Sequence, residues 1–226
     1  MSDAFQTWLD GLAAAAEADL GAQNEIRDQA LAQSRDLIRL CSNAIRAGHR
    51  DAWDEAETLL AEAERVAQAM QTLLAPYPEL VFAGYTQDAL KELVEARVTL
   101  ALISDRAMPE VSTSGIPLNT YLNGVCEAAS ELRRRCLDML RHEKLEEAER
   151  LLAAMDAAYE VLMSFSYPDV ITRGLRHRVD QLRGVLERTR GDLTNNAQMV
   201  RLLKALGSVE PGGALALDGE ALPPGA

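Results

Sequence analysis

The 226-residue chain carries a formal net charge of −12 with a pI near 4.8, is 48% hydrophobic and 4% aromatic, and holds three cysteines. Its acidity argues against a surface that is basic on average, and the odd cysteine count without metal-ligand spacing argues against a disulfide framework or a zinc site, leaving Cys41, Cys126 and Cys136 as small core residues. No apolar run reaches the roughly 18 residues of a membrane span, the N-terminus is acidic where a secretory signal is basic, and no stretch alternates as a strand does, so the expectation is a cytoplasmic, all-α chain without a membrane segment.

The first helical region spans residues 2–47 with a break near Gly21; Ile26, Ala30, Leu37, Ile38 and Ile45 form its apolar face, and Gly48-His49 end it. The second covers 51–74, where Trp53, Ala56, Leu60, Ala63, Ala67 and Met70 recur at three- and four-residue steps until Pro76 and Pro78 stop it. The third runs from 78 to 107, ahead of a loop with Pro109 and Gly115. Pro117 suits the first turn of a fourth helix ending near His142. A fifth spans 145–165, and a sixth spans 170–206, loosened at Gly174 and Gly191. Residues 1–206 thus read as one helical bundle, and the Gly- and Pro-rich 207–226 as a disordered tail.

Two of these helices carry paired carboxylates. On the third, Glu92, Glu95, Thr99 and Arg106 share a narrow stripe opposite Leu90, Leu93, Val94 and Val98; on the fourth, Thr120, Gly124, Glu127, Glu131, Arg134 and Asp138 form a polar stripe opposite Tyr121, Leu122, Val125, Ala129 and Leu132. Four carboxylates facing each other across packed helices make an oxygen-only cage suited to Mg²⁺ or Mn²⁺. Spacing alone does not assign one, because an acidic stripe opposite an apolar one is what any solvated amphipathic helix displays. Leu100, Ala101, Leu102 and Ile103, apolar around the whole helix just past Glu95, point to cover over that region, where crowded carboxylates repel and a divalent cation relieves them.

All but Lys91, Lys144 and Lys204 of the 23 basic residues are arginines. They cluster in Arg133-Arg134-Arg135 and along the sixth helix at Arg173, Arg176, Arg178, Arg183, Arg188 and Arg190. Such runs serve either a salt-bridged face or a phosphate track. His49, His142 and His177 lie in separate segments, and no P-loop, Gly-x-Ser-x-Gly or dinucleotide-binding glycine pattern is present.

The fourth helix, Tyr121-Leu122-x-Gly124-Val125-x-Glu127-x-x-x-Glu131-Leu132 with Arg133 and Cys136, resembles the translin family, most closely its catalytic translin-associated factor X branch, where the stretch reads Tyr-Leu-x-Gly-Val-x-Asp-x-x-x-Glu-Leu. Glu92-Leu-Val-Glu95-Ala resembles the family's Glu-Tyr-Val-Glu-Ala, Arg106 falls on a family Arg, and Tyr167-Pro168-Asp169-Val170 looks like prokaryotic members. The resemblance implies a roughly seven-helix protomer in a hollow homo-oligomer, commonly an octamer, enclosing RNA or single-stranded DNA. It also implies an endoribonuclease whose Mg²⁺ or Mn²⁺ ligands and catalytic carboxylates are Glu92, Glu95, Glu127 and Glu131, with Arg106 and Arg134 as candidate phosphate contacts. Glu127 departs from the family Asp by one methylene. Two alternatives stand beside this reading: a non-catalytic nucleic-acid-binding oligomer, and an all-α nucleotide pyrophosphohydrolase, whose usual Glu-x-x-Glu then Glu-x-x-Asp spacing the second pair does not match.

Overall fold

The computed structural model describes residues 3–111 and 115–207. All regular structure among them is helical: α1 (Asp3–His49), α2 (Trp53–Leu74), α3 (Pro78–Val81), α4 (Gly84–Ser104), α5 (Leu118–Arg141), α6 (Leu145–Met163), α7 (Asp169–Thr172) and α8 (Leu175–Gly207). Apart from Gly207, the expected tail lies outside the described residues. No described helix is long and apolar enough to cross a membrane.

Helix bounds follow the apolar periodicity, with five corrections. Gly21 does not break α1, because a lone glycine costs an exposed helix only about 1 kcal/mol. Pro117 stands just before the first turn of α5, as its N-cap. The third expected helix is two: the chain turns out at Phe82 and Ala83, and the freed carbonyls of Leu80 and Val81 accept hydrogen bonds from Thr86 Oγ1 at 2.8 Å and Gln87 Nε2 at 2.7 Å. The sixth is likewise divided, by the left-handed pair Arg173 (φ 50°) and Gly174 (φ 86°), where the Asp169 carboxylate accepts from the Gly174 N–H at 2.7 Å. Gly191, by contrast, lies within unbroken α8.

The long helices form two three-helix halves, α1–α2–α4 and α5–α6–α8, which meet where α4 packs on α5. Leu37, Met70, Leu74, Leu90 and Val94 fill the first half; Leu132, Leu151, Met155, Leu186 and Leu193 fill much of the second. Each such side chain contributes on the order of 1.5–3 kcal/mol of burial. All three cysteines are free and buried, as core residues. Gly48 of α1 abuts Leu100 of α4, Gln87 of α4 bonds Thr120 of α5, and Arg133 of α5 reaches Asp192 of α8, so α1, α4, α5 and α8 run the same way and α2 and α6 return between them.

At the seam the helices touch through their backbones. A Cβ on Gly124 would stand 2.7 Å from Val94 Cβ and 2.8 Å from the Lys91 carbonyl oxygen, so only glycine permits this approach. The beginning of the α5 polar stripe, Thr120 and Gly124, is accordingly buried against α4 rather than solvated.

Candidate metal centre

One turn beyond Gly124, the seam opens on carboxylates. Glu92, Glu95 and Glu127 each offer an oxygen within 4.8 Å of the other two, and all three side chains are half-buried. Helical spacing puts Glu92 and Glu95 on one face of α4, and the close approach at Gly124 carries Glu127 to them from α5. The fourth expected ligand, Glu131, stands outside this group. It is held by His49, the last residue of α1, whose Nε2 lies 2.9 Å from its Oε1. His49 Nδ1 is buried and has no hydrogen-bond partner among the described residues.

Two cations serve the same cluster. Lys91 Nζ hydrogen-bonds Glu127 Oε2 and lies 3.3 Å from Glu92 Oε1, while Arg178 Nε donates to Glu127 Oε1 at 2.8 Å, so both oxygens of Glu127 have partners. Sequence reasoning missed His49, Lys91 and Arg178 as site residues; Arg178 stood out only as part of a basic run.

The electrostatics record an excess of negative charge. Burial, then the charges of Glu92, Glu127 and Glu131, push the Glu95 carboxyl up to about 8, against a partial offset from Lys91. Burial pulls Lys91 down, but its hydrogen bond and charge interaction with Glu127, joined by Glu92, outweigh this and leave it above its ordinary value. Burial, then Glu92 and Glu95, push the Cys41 thiol up to about 12, so it is not a ligand or a nucleophile at neutral pH.

The donors fit a hard divalent cation: three converging carboxylates, no sulfur or ring nitrogen among them, and one carboxyl whose ionisation is opposed by the other acids. Glu95, Glu127 and Glu131 line a cleft of about 700 Å³ between α5 and α8, together with Ser130, Asp180, Gln181, Gly184, Val185 and Arg188.

The two arginines expected at phosphates lie apart. Arg134 is exposed in an adjoining groove that shares Ser130 and Glu131 with the cleft. Arg106 lies past the end of α4, because Asp105 turns left-handed at φ 53° and takes the chain off the carboxylate stripe; Arg106 pairs with Glu57 and covers the Trp53 ring at 6.0 Å. It borders a separate, more apolar pocket of about 340 Å³ floored by Trp53, Leu60, Leu100 and Ala101. Arg135 is buried and grips Asp51 through both terminal nitrogens at 2.7 and 3.2 Å.

No family model matches the chain. It is 32% identical over 195 residues to an uncharacterized protein of Methanocaldococcus jannaschii, covering 85% of this chain and 86% of that one. Among solved structures it is similar to AfC3PO, both alone (TM-score 0.76) and in a duplex RNA complex (TM-score 0.77), each at 32% identity over 82% of this chain and 96% of that one. Apo-NeC3PO shares the fold at 19% identity, with a TM-score of 0.73 over 83% of this chain and 96% of that one. C3PO is the translin and translin-associated factor X complex, and this chain belongs to the translin family.

Proposed function

We propose that this chain is a metal-dependent endoribonuclease that binds RNA within a homo-oligomer. The convergence of Glu92, Glu95 and Glu127 beside an open cleft carries the reading, and the 32% identity to AfC3PO, solved with duplex RNA, supplies the substrate class. Glu92, Glu95 and Glu127 would hold Mg²⁺ or Mn²⁺, which when bound supplies charge stabilisation at the phosphoryl oxygens and an acidified water. Glu95, half-buried among acids, holds its proton up to about pH 8, and a cation bound beside it would favour the ionised form. Glu131, outside the converging three and oriented by His49, is our candidate to take a proton from the attacking water. Arg178 and Lys91 fix the Glu127 carboxylate between them.

In Mn²⁺, labelled single-stranded RNA should be cut by the wild type and spared with chelator. Glu95→Gln and the double variant Glu127→Gln with Glu131→Gln should lower cleavage by about 100-fold or more while leaving assembly intact. Undiminished cleavage by these variants would sink the assignment. Family resemblance extends the proposal to a homo-octamer and to single-stranded DNA, read by particle mass and by competition binding.

A second reading, RNA binding without cleavage, is favoured by one observation: Lys91 and Arg178 already neutralise Glu127. It predicts equal RNA retention, with no products, in metal and in chelator. The pyrophosphohydrolase alternative is set aside because the chain matches C3PO over most of its length.

A further inference from the structure

The cleft has a second wall, on α8, that the carboxylate centre does not use. Asp180, Gly184 and Arg188 follow at four-residue steps, hence on one stripe of that helix, and all three line the cleft with Glu95, Glu127 and Glu131. Gly184 leaves the middle of the stripe without a side chain. The Arg188 guanidinium reaches back toward this gap, its Nη1 3.5 Å from where a Gly184 Cβ would stand.

The two cations in contact with the converging three carboxylates are committed. Lys91 serves Glu92 and Glu127; Arg178 serves Glu127 and Asn123. Arg188 is exposed and makes no hydrogen bond or ion pair among the described residues. A phosphodiester entering here meets the acidic side chains of Glu127, Glu131 and Asp180, and like charges repel it unless a cation receives it. An uncommitted guanidinium offers a forked pair of donors to phosphate oxygens, and a helix position lacking a side chain admits a backbone.

We propose that the Asp180–Gly184–Arg188 stripe is the nucleic-acid cradle: Arg188 grips a phosphate of the bound RNA strand, and the Gly184 gap seats its sugar-phosphate backbone between α5 and α8. This rests on the RNA-binding part of the reading above and not on cleavage. It moves the phosphate contact from Arg106, at the far end of α4, to the wall facing the carboxylates.

The test is binding of a labelled single-stranded RNA to the full chain in chelator, where nothing is cut, over a salt series. Arg188→Gln should weaken binding about tenfold or more and lower the slope of log affinity against log salt by about one. Arg188→Lys should keep the slope and recover part of the affinity. Gly184→Leu, which favours the helix and has only an ordinary contact at its Cβ, should block binding at an unchanged or higher melting temperature. Arg183→Gln, an exposed arginine of α8 outside the cleft, controls for loss of charge alone and should have the smaller effect. Wild-type affinity and slope in Arg188→Gln, or wild-type binding in Gly184→Leu, would overturn the cradle. If the variants bind weakly as expected and the wild type binds but never cuts in Mn²⁺, the cradle stands and only the nuclease reading falls; a wild type that binds no RNA overturns both.

Discussion

Glu95 concentrates the charge conflict of the centre. Its carboxyl titrates at about 8 in the folded chain against an ordinary 4.5, so the neutral form is the one the fold favours. The stability it contributes is therefore complete below about pH 4.5 and is lost as pH rises through about 8. In chelator, the melting temperature of the wild type should fall relative to that of Glu95→Gln across this window, and Mn²⁺ should restore the wild type at the alkaline end. Parallel melting profiles of the two proteins would contradict the crowding. Helical spacing pairs Glu92 with Glu95, and the Tyr-Leu-x-Gly-Val frame marks Glu127 and Glu131, as candidates; the structure brings the first three together and leaves Glu131 outside. The glutamates' partners were not legible: Lys91, Arg178 and His49 meet Glu127 or Glu131 across 36, 51 and 82 residues, and periodicity reports only neighbours within a turn or two.

At the level of helices, Gly124 decides how closely α4 and α5 approach. Gly124→Ala must push Val94 and the Lys91 backbone away. Overpacking of this kind costs about 1–3 kcal/mol, against about 1 kcal/mol gained in helix propensity, so melting should drop by a few degrees. The same shift separates Glu127 from Glu92 and Glu95, so Mn²⁺ affinity, measured by calorimetry, should suffer more than stability does. Equal affinity in the variant would show that the seam does not position the carboxylates. The six long helices were readable from their apolar faces, and Gly174 marked one of the two interruptions. The other, at Phe82-Ala83, carries no proline, and there the α3 carbonyls are captured by Thr86 and Gln87 six residues on, a local side-chain-to-backbone choice that helix propensity does not contain.

Across the whole molecule, α1 is the outlier. Ala30 is its first buried residue; before it Phe5, Trp8, Leu12 and Leu20 are exposed, with Phe5 and Trp8 stacked on one another at 5.9 Å. A helical arm without tertiary packing adds little to the stability of the bundle. Deleting residues 1–22 should therefore shift melting by less than about 2 °C, a scale on which about 1 kcal/mol is visible for a chain this size. A larger fall would mean that Phe5, Trp8 and Leu12 are covered in the assembled particle.

The halves are also ordered in time. α1 supplies the imidazole behind Glu131, α4 and α5 the carboxylates, and α8 the guanidinium that fixes Glu127. A ribosome must therefore deliver His49, the acidic pairs and finally Arg178 before these groups can meet. A nascent chain that has released only α1 to α6 holds its acids without their last counter-ion and without the second wall of the cleft. By this order of synthesis, Glu127 gains Arg178 and the cleft gains its α8 wall only after α1 to α6 have all been made.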